Sequence, residues 1–301
     1  MTCTRPLRAY RSAQKGPTGR YGVTFNPLKS LVEGSSFGVP CGRCLGCMLT
    51  RSQQWAARCL HEAKMHHSNS FLTLTYDDEH LPENYSVSKR EWQLFMYKLR
   101  KHLGTEKIRF FAAGEYGDIN LRPHYHGLIF GWFPRDAKQF AVTAEGHPRF
   151  RSETLSKIWG QGLSELGTVT YQSAGYCARY CVKKLHGDYK PEHYIRQNPV
   201  TGKVHQVEKE FALQSRNPGL GASWFTKFKG DCFPSDFLIA DGKRIAIPRY
   251  YALKLSEEEL HPIKRNRAYN AQKHRSDQTP ERLKVREEVL TARLLRLKRT
   301  L

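Results

Sequence analysis

Acidic residues are scarce in this sequence. The 301 residues include 28 Asp and Glu against 49 Lys and Arg, so the formal net charge is +21 at pH 7. Such a surplus favours a phosphate polyanion as the partner, with an anionic membrane surface as the rival explanation.

Long apolar runs are also missing, and the first residues, Met1 to Arg5, lack the pattern of a signal peptide. We therefore expect the protein to bind no membrane and to stay in the cytoplasm where it is made. In such a reducing compartment the eight cysteines are expected to be free thiols or metal ligands rather than disulfides.

Two strands are predicted at residues 110–115 and 122–130, separated by a turn-rich break over residues 116–120. His124 and His126 are two residues apart, so both imidazoles project from one face of the second strand. Antiparallel pairing of the two strands would bring Glu115 near them. One carboxylate and two imidazoles could then converge on a divalent ion.

Two alternatives to this metal site remain open. A His-x-His pair in a strand is also typical of a partly exposed polar face. The acidic residues after the preceding strand, Asp77, Asp78 and Glu79, are a second source of a carboxylate ligand, although loop acids are usually only solvated.

A helix is predicted over residues 172–186, after a strand-like run at 167–171. Tyr176, Tyr180 and Lys183 are spaced i, i+4 and i+7 and share one helical face. Tyrosine can act as a nucleophile where a metal and a lysine offset the charge that develops on a phosphodiester. The alternative is an ordinary amphipathic helix with two core tyrosines.

The remaining pattern predicts an α+β fold, a central antiparallel sheet with packed helices in the manner of a ferredoxin-like or RNA-recognition fold. Apolar alternation and helical spacing predict the following elements: a helix at 51–67, whose histidines His61, His66 and His67 are expected at the surface; a central strand at 71–76; a helix from the capping box at Ser88 to Gly104; a loop insertion at 132–151; a helix at 152–159; and a strand at 163–171.

The N-terminal region contains a cysteine knuckle, Cys41-Gly-Arg-Cys44-Leu-Gly-Cys47. Cys3 or Cys59 could complete four ligands for a structural Zn²⁺, and free thiols are the alternative. An iron–sulfur cluster is disfavoured because no fourth cysteine follows at ferredoxin spacing. Residues 1–40 are basic and aperiodic, so we expect an extended arm there.

Beyond residue 190 the pattern weakens. Residues 191–217 are polar and interrupted, residues 242–251 could form a basic and aromatic hairpin arm, and an amphipathic helix begins at Pro280. We expect three regions: a basic arm with the cysteine knuckle at 1–50, a catalytic domain at 51–190, and a basic, partly irregular C-terminal region at 191–301.

Three ordered motifs resemble those of the HUH endonucleases, the initiators of rolling-circle replication. They are Phe71-Leu-Thr-Leu-Thr-Tyr76, then Gly114-Glu-Tyr-Gly117 leading to Arg122-Pro-His-Tyr-His-Gly127, and Tyr176-x3-Tyr180-x2-Lys183. Within that superfamily the chain is similar to the replication initiation proteins of gokushovirus-type microviruses. The similarity extends from Cys3 to about residue 190.

The resemblance implies the same antiparallel fold and a metal-dependent enzyme that nicks and rejoins single-stranded DNA. Glu115, His124 and His126 would hold Mg²⁺ or Mn²⁺, Tyr176 or Tyr180 would form a 5′-phosphotyrosine, and Lys183 would neutralise charge. The implied DNA partners are single-stranded viral DNA and the replicative-form origin, in the host bacterial cytoplasm.

The implied protein partners are a host polymerase and a host helicase. The helicase is expected to be separate because the chain has no Gly-x4-Gly-Lys-Ser/Thr loop. A transposase or relaxase of the same chemistry, and a non-catalytic DNA-binding or packaging protein, are the alternatives.

Overall fold

The computed structural model describes residues 3–17, 19, 21–117, 120–183, 194–198, 201–240 and 242–296, without the side chains of 179–183. The helices and strands in this part are, in chain order, β1 (Leu7–Lys15), β2 (Tyr21–Thr24), β3 (Phe37–Val39), α1 (Leu45–Ala63), β4 (Asn69–Tyr76), α2 (Lys89–Leu103), β5 (Arg109–Tyr116), β6 (Pro123–Phe130), β7 (Lys138–Val142), β8 (Pro148–Arg151), α3 (Glu153–Trp159), β9 (Gly162–Gly167), α4 (Tyr171–Lys183), β10 (Ile195–Gln197), β11 (Val204–Gln206), β12 (Phe211–Gln214), α5 (Ala222–Lys227), β13 (Phe237–Ala240), β14 (Lys243–Ala246), α6 (Arg249–Ala252), α7 (Glu257–Lys273) and α8 (Pro280–Arg296).

The chain divides into two compact units. One contains the residues up to Thr50 together with those from Lys264 to Lys298, and the other contains Arg51–Ile263. The first unit includes a three-stranded sheet of order β2-β1-β3 and the helix α8. The second includes the large sheet described next.

A seven-stranded antiparallel sheet of order β12-β5-β6-β4-β9-β8-β7 is the centre of the second unit. The histidine strand β6 lies between β5 and β4. Together with the helices on the sheet, this arrangement confirms the predicted α+β class.

One face of the sheet is covered by α2 and α3. In β4 the side chains of Leu72, Leu74 and Tyr76 point to this face and are fully buried, as their alternation predicts. Trp92, Phe95, Met96 and Leu99 of α2 and Leu155, Ile158 and Trp159 of α3 complete this core.

The opposite face of the sheet carries α1 and α4. Ala56, Cys59 and Ala63 of α1, and Ala174 and Cys177 of α4, pack against Phe111, Leu128 and Phe130 of the sheet. Small residues on both helices allow their backbones to approach the sheet closely. His124 and His126 belong to this same face, because they alternate with the residues that face α2.

The start of α2 matches half of the predicted capping box. The Ser88 hydroxyl accepts hydrogen bonds from the amides of Arg90 and Glu91. The amide of Ser88 donates to the Tyr125 hydroxyl (3.0 Å), and the Glu91 carboxylate accepts from Gln161 (2.9 Å). The helix N-terminus is therefore tied to the sheet rather than closed on itself.

Several regions expected to be irregular contain strands. Residues 1–40 include β1 to β3, the predicted loop insertion at 132–151 includes β7 and β8, and the polar stretch at 191–217 includes β12. These strands are short or lie at sheet edges, and β1 buries only Ala9. Without two buried faces they need no apolar alternation, and the sequence pattern therefore missed them.

The predicted boundary near residue 167 was also wrong. The strand β9 ends at Gly167, and Tyr171 is the first residue of α4. Thr170 and Ser173 form a reciprocal cap, in which each hydroxyl accepts from the other residue's amide at 3.0 and 2.8 Å. This cap starts the helix earlier than the β-branched residues around it suggested.

The expectation that the histidines of α1 lie at the surface is wrong for His61. Its ring stacks on Trp224 with centroids 3.4 Å apart, and its Nδ1 lies 2.9 Å from the Tyr251 hydroxyl. Both partners belong to a third apolar cluster formed by α5, α6 and the β13–β14 hairpin. His66 is half-buried, whereas His67 is exposed.

The hairpin predicted at 242–251 is displaced towards the N-terminus. It consists of β13 and β14, and residues 249–252 form the short helix α6. Tyr251 is fully buried there, so its ring is not available to stack on a base. None of the helices in the described part of the chain has the length and apolar character that a membrane span needs.

Candidate active site

Three side chains with metal-binding groups meet on the α4 side of the sheet. The register pairs Glu115 of β5 directly with His124 of β6. Glu115 Oε1 lies 3.8 Å from His124 Nε2 and 3.2 Å from His126 Nε2. Glu115 is 1% exposed and His126 is 6% exposed, so the carboxylate lies inside the protein.

Each imidazole is oriented through its other nitrogen. His124 Nδ1 donates to the carbonyl oxygen of Arg122 at 3.0 Å, and His126 Nδ1 lies 3.1 Å from the Thr73 hydroxyl on β4. A hydrogen bond at Nδ1 leaves Nε2 as the metal-binding atom. Both Nε2 atoms face Glu115 in this arrangement.

The electrostatics favour neutral imidazole at His126. Burial, and then the neighbouring His124, hold the pKa of His126 well below its usual value. Neutral imidazole is the form that binds a metal ion, so no proton has to be displaced there at neutral pH.

The donor set fits a divalent cation. The three ligand atoms lie within 4.8 Å of one another. Ligands about 2.1 Å from one ion, at the angles of octahedral or tetrahedral sites, are separated by roughly 3.0–3.4 Å. The two distances to Glu115 are close to that range. Three protein ligands also leave positions open for a substrate oxygen.

A glycine follows the second histidine for a steric reason. A Cβ at Gly127 would lie 2.4 Å from Cη2 of Trp92, whose indole packs on the strand from the α2 side. The opposite face at this point is therefore filled by a fully buried tryptophan. This packing fixes the backbone of β6 next to His126.

Tyr176 lies beside the two imidazoles. Its ring is edge-on to His126, with centroids 5.2 Å apart, and edge-on to Phe71 at 6.3 Å. Ala174 and Cys177 anchor α4 on the sheet around it. The backbone of Tyr180 and Lys183 lies in the same helix, at i+4 and i+7 from Tyr176, and their side chains lie outside the described residues.

The alternative carboxylates are engaged elsewhere. Asp77 accepts from the amide and the imidazole of His80, at 2.9 and 2.7 Å. Asp78 pairs with Arg122. Within the described residues, the group that gathers around the two histidines is therefore completed by Glu115.

A solvent-exposed surface continues from this site across the sheet, and the sequence pattern did not predict it. His124 pairs with Thr75, and Thr75 pairs with Leu163 of β9, so the three side chains form one row. Leu163 is 64% exposed. In the next row outward, Arg149 and Arg151 of β8 both contact Glu165.

The far end of this surface is aromatic and basic. The guanidinium groups of Arg149 and Arg151 lie 5.2 and 4.2 Å from the ring centroid of Phe140 on β7. Lys138 pairs with Arg151 across the β7–β8 hairpin. We call the side chains of Leu163, Phe140, Lys138, Arg149 and Arg151 the sheet platform.

A second group with metal-binding atoms lies in the first unit. The sulfur atoms of Cys3, Cys41, Cys44 and Cys47 lie within 4.8 Å of one another. Cys59, the alternative fourth ligand, is instead buried in the core between α1 and the sheet.

Comparison with known proteins identifies relatives over most of the chain. A family profile for replication-associated proteins of the ORF2 type matches residues 69–185. The replication-associated protein VP4 of Bdellovibrio phage phiMH2K is 36% identical over 260 residues, which cover 83% of this chain and 76% of that protein.

Two further relatives extend the comparison. The replication-associated protein ORF2 of Spiroplasma virus 4 is 30% identical over 281 residues, covering 86% of this chain and 81% of that protein. The replication-associated protein ORF4 of Chlamydia phage 1 is 31% identical over 227 residues, covering 73% and 54%. No solved structure matches with significance.

The residues that match the profile include the whole metal-binding triad and Tyr176, and the first two relatives align along more than three quarters of their own lengths. The chain therefore belongs to the family of replication-associated proteins of gokushovirus-like single-stranded DNA phages.

Proposed function

We propose that this protein starts rolling-circle replication by nicking single-stranded DNA at the phage origin and later rejoining the ends. The observation that carries the proposal is the placement of Tyr176 beside the Glu115, His124 and His126 group, with ring centroids of Tyr176 and His126 5.2 Å apart. A nucleophile and a cation site next to each other are what cleavage of a phosphodiester by a tyrosine requires.

Glu115, His124 and His126 are the residues that would hold the cation, for which Mg²⁺ or Mn²⁺ suits a phosphate substrate. When bound, the ion supplies a positive charge that polarises the scissile phosphate. The chain contributes the orientation of the ligands through Thr73 and the carbonyl of Arg122.

The tyrosine step exchanges one phosphate ester for another. The phenol oxygen of Tyr176 or Tyr180 loses its proton and bonds to phosphorus, while the bond from phosphorus to the 3′-oxygen breaks. The 3′-oxygen leaves with a proton as a free hydroxyl, and the 5′-phosphate stays on the protein. Rejoining reverses these bonds, so no nucleoside triphosphate is consumed.

Two tyrosines on one helical face allow two successive transfers. One would hold the first 5′ end while the other cleaves the regenerated origin after a round of synthesis. Lys183 shares the same face by its spacing and would offset charge on the phosphate. Both roles are assigned from position along α4.

The sheet platform is where we place the DNA next to the site. Aromatic and aliphatic side chains offer surfaces for bases, and Lys138, Arg149 and Arg151 offer charges for phosphates. The strand would cross the sheet perpendicular to its β-strands, from the histidines past Leu163 towards Phe140. The adjacent rows in the register support this path.

The partners follow from the chemistry. A free 3′-hydroxyl is a primer for a host polymerase, and a separate host helicase would unwind the duplex. The substrates are the replicative-form origin and the viral strand, and the site of action is the host cytoplasm. We assign the nicking activity to residues 51–190, which include the triad and α4.

The test is a denaturing-gel assay of labelled single-stranded fragments tiled over the phage genome, with Mn²⁺, with Mg²⁺ and with EDTA. We expect a covalent protein–DNA adduct that requires metal and is lost in Tyr176→Phe/Tyr180→Phe. Tyr171→Phe is the matched control, since it alters another tyrosine of α4 and should keep the adduct.

Binding measured in parallel separates the alternatives. If the folded protein binds the origin fragment but forms no adduct with any metal, the proposal of nicking is refuted and a non-catalytic DNA-binding role replaces it.

A further inference from the structure

We propose that Cys3, Cys41, Cys44 and Cys47 bind one structural Zn²⁺ and that this ion holds the N-terminal sheet together. The proposal is independent of the nicking activity, because it concerns different residues in the other compact unit. It begins with the positions of the four sulfur atoms.

The spacing of the sulfurs fits one tetrahedral ion. Cys3 Sγ and Cys44 Sγ are 3.8 Å apart, and all four sulfurs lie within 4.8 Å of one another. Four thiolates about 2.3 Å from a zinc ion at tetrahedral angles lie about 3.8 Å from each other. An iron–sulfur cluster would spread its ligands over several irons and hold them farther apart.

The backbone supports negative charge on the sulfurs. The amide of Cys41 donates to Cys3 Sγ at 3.3 Å, the amide of Thr4 to Cys44 Sγ at 3.4 Å, and the amide of Cys44 to Cys41 Sγ at 3.2 Å. Such N–H to sulfur contacts stabilise the thiolate form that a metal requires. Three separate chain segments thus turn towards one point.

The ligand set selects the metal and its role. Four thiolates favour Zn²⁺ over Mg²⁺, Ca²⁺ or Mn²⁺, which prefer oxygen ligands. Four protein ligands leave no open position for substrate, so the ion is structural rather than catalytic. A single disulfide would use two of the four sulfurs and leave the other two unexplained.

The surrounding sheet buries very little apolar surface. Among the described residues up to Thr50, the buried apolar side chains are Cys3, Ala9 and Cys44. The large apolar side chains of this region are exposed by 40% or more: Leu7, Tyr21, Val23, Phe25, Leu28, Leu31, Val32 and Phe37. A segment this short with so small a core needs a metal or disulfides to fold.

The four ligands are placed where a staple would act. Cys3 precedes β1, Cys41 follows β3, Cys44 directly precedes α1 and Cys47 lies in its first turn. One ion would therefore fix both ends of the sheet to the start of α1. This sheet carries Arg8, Arg11 and Lys15, so zinc would also order a basic surface.

The first test is a metal count on the full-length protein, purified under reducing conditions. We expect one zinc per chain in the wild type and in His124→Ala/His126→Ala, and none in Cys44→Ser. Cys232→Ala is the matched control, because it removes a buried thiol outside the cluster and should keep the zinc. Zinc that is lost with the histidines, or retained in Cys44→Ser, overturns the proposal.

A second measurement avoids the risk that Cys44→Ser fails to fold. Titrating the wild type with a mercurial should release one zinc as four thiols react, and amide exchange in β1 to β3 should then become at least about tenfold faster while β4 to β6 are unchanged. Absence of zinc, or unchanged exchange after its release, refutes the structural role.

Discussion

Replacing Thr73 by valine should weaken metal binding at the proposed active site without disturbing the fold. The Thr73 hydroxyl lies 3.1 Å from His126 Nδ1 and orients this ring from the neighbouring strand. Valine keeps the β-branched shape that suits a strand and removes only the oxygen.

The magnitude follows from the chemistry of the hydrogen bond that valine cannot form. Removing the partner of a ligating histidine typically lowers metal affinity about 10- to 100-fold, or roughly 1.4–2.8 kcal/mol. The cost to folding should be smaller, about 1 kcal/mol, the usual net value of one hydrogen bond. We therefore expect the half-saturating Mn²⁺ concentration for nicking to rise about 10- to 100-fold, while the rate at saturating Mn²⁺ approaches that of the wild type.

Thr75→Val provides the matched control. Thr75 lies on the same strand and the same face and pairs with His124, whose Nδ1 is bonded to the carbonyl of Arg122 instead. Its Mn²⁺ dependence should remain that of the wild type. An unchanged Mn²⁺ dependence in Thr73→Val, or equal shifts in both variants, would refute the orientation of His126 by Thr73.

Three further predictions concern the packing, the pH dependence and the DNA path. Gly127→Ala should lower the free energy of unfolding by about 1–3 kcal/mol in chemical denaturation, because the new methyl group overlaps the indole behind β6. Burial, and then the charge of Lys64, lower the pKa of His61 to about 3, so between about pH 6.5 and 3 the unfolded chain binds the extra proton. The wild type should therefore lose up to about 1.4 kcal/mol of stability per pH unit as the pH falls below 6.5, and His61→Phe should remove that component. Arg149→Ala/Arg151→Ala should weaken binding of single-stranded DNA in anisotropy titrations and reduce the slope of log affinity against log salt by about 1.4, or roughly 0.7 for each phosphate contact.

Each of these has an outcome that contradicts it. Wild-type stability in Gly127→Ala would mean that the indole moves freely. His67→Gln, at an exposed histidine of the same region, should leave the pH slope unchanged, and an equal change in both variants would reject burial as the cause. An unchanged salt slope in the arginine variant would remove the sheet platform from the DNA path, whereas nicking could still occur.

The fold class was predictable because the central elements are buried on defined faces. The alternation in β4 and the i, i+3, i+4 spacing in α2 each record one apolar face, and the structure confirms both. The same logic placed His124 and His126 on one side of β6. Their proximity to Glu115 required only a short turn between adjacent strands.

The elements that were missed bury little or begin with a local cap. The strands β1, β7 and β8 have largely exposed faces, so their sequences do not alternate. The start of α7 carries a reciprocal cap, in which Ser256 and Glu259 each accept from the other's amide at 3.2 and 3.0 Å. That signal, Ser-Glu-Glu-Glu, is present in the sequence and could have located this helix.

The interactions that complete the site depend on pairings between distant segments. Thr73 meets His126 because β4 pairs with β6 across 53 residues, and Leu163 reaches the same row through β9. The burial of His61 likewise depends on Trp224 and Tyr251. No periodicity within one segment specifies such a register, so these residues could be found only in the structure.

The central claim is that a tyrosine of α4 attacks DNA held at the Glu115, His124 and His126 group. The most direct test is tryptic peptide mapping of the covalent adduct, because cleavage after Arg179 separates the two tyrosines. The account predicts a nucleotide 5′-phosphate on Tyr176 or Tyr180, formed only with metal and absent in Glu115→Gln. An adduct mapped to any other residue, or one that forms equally in EDTA, would contradict it.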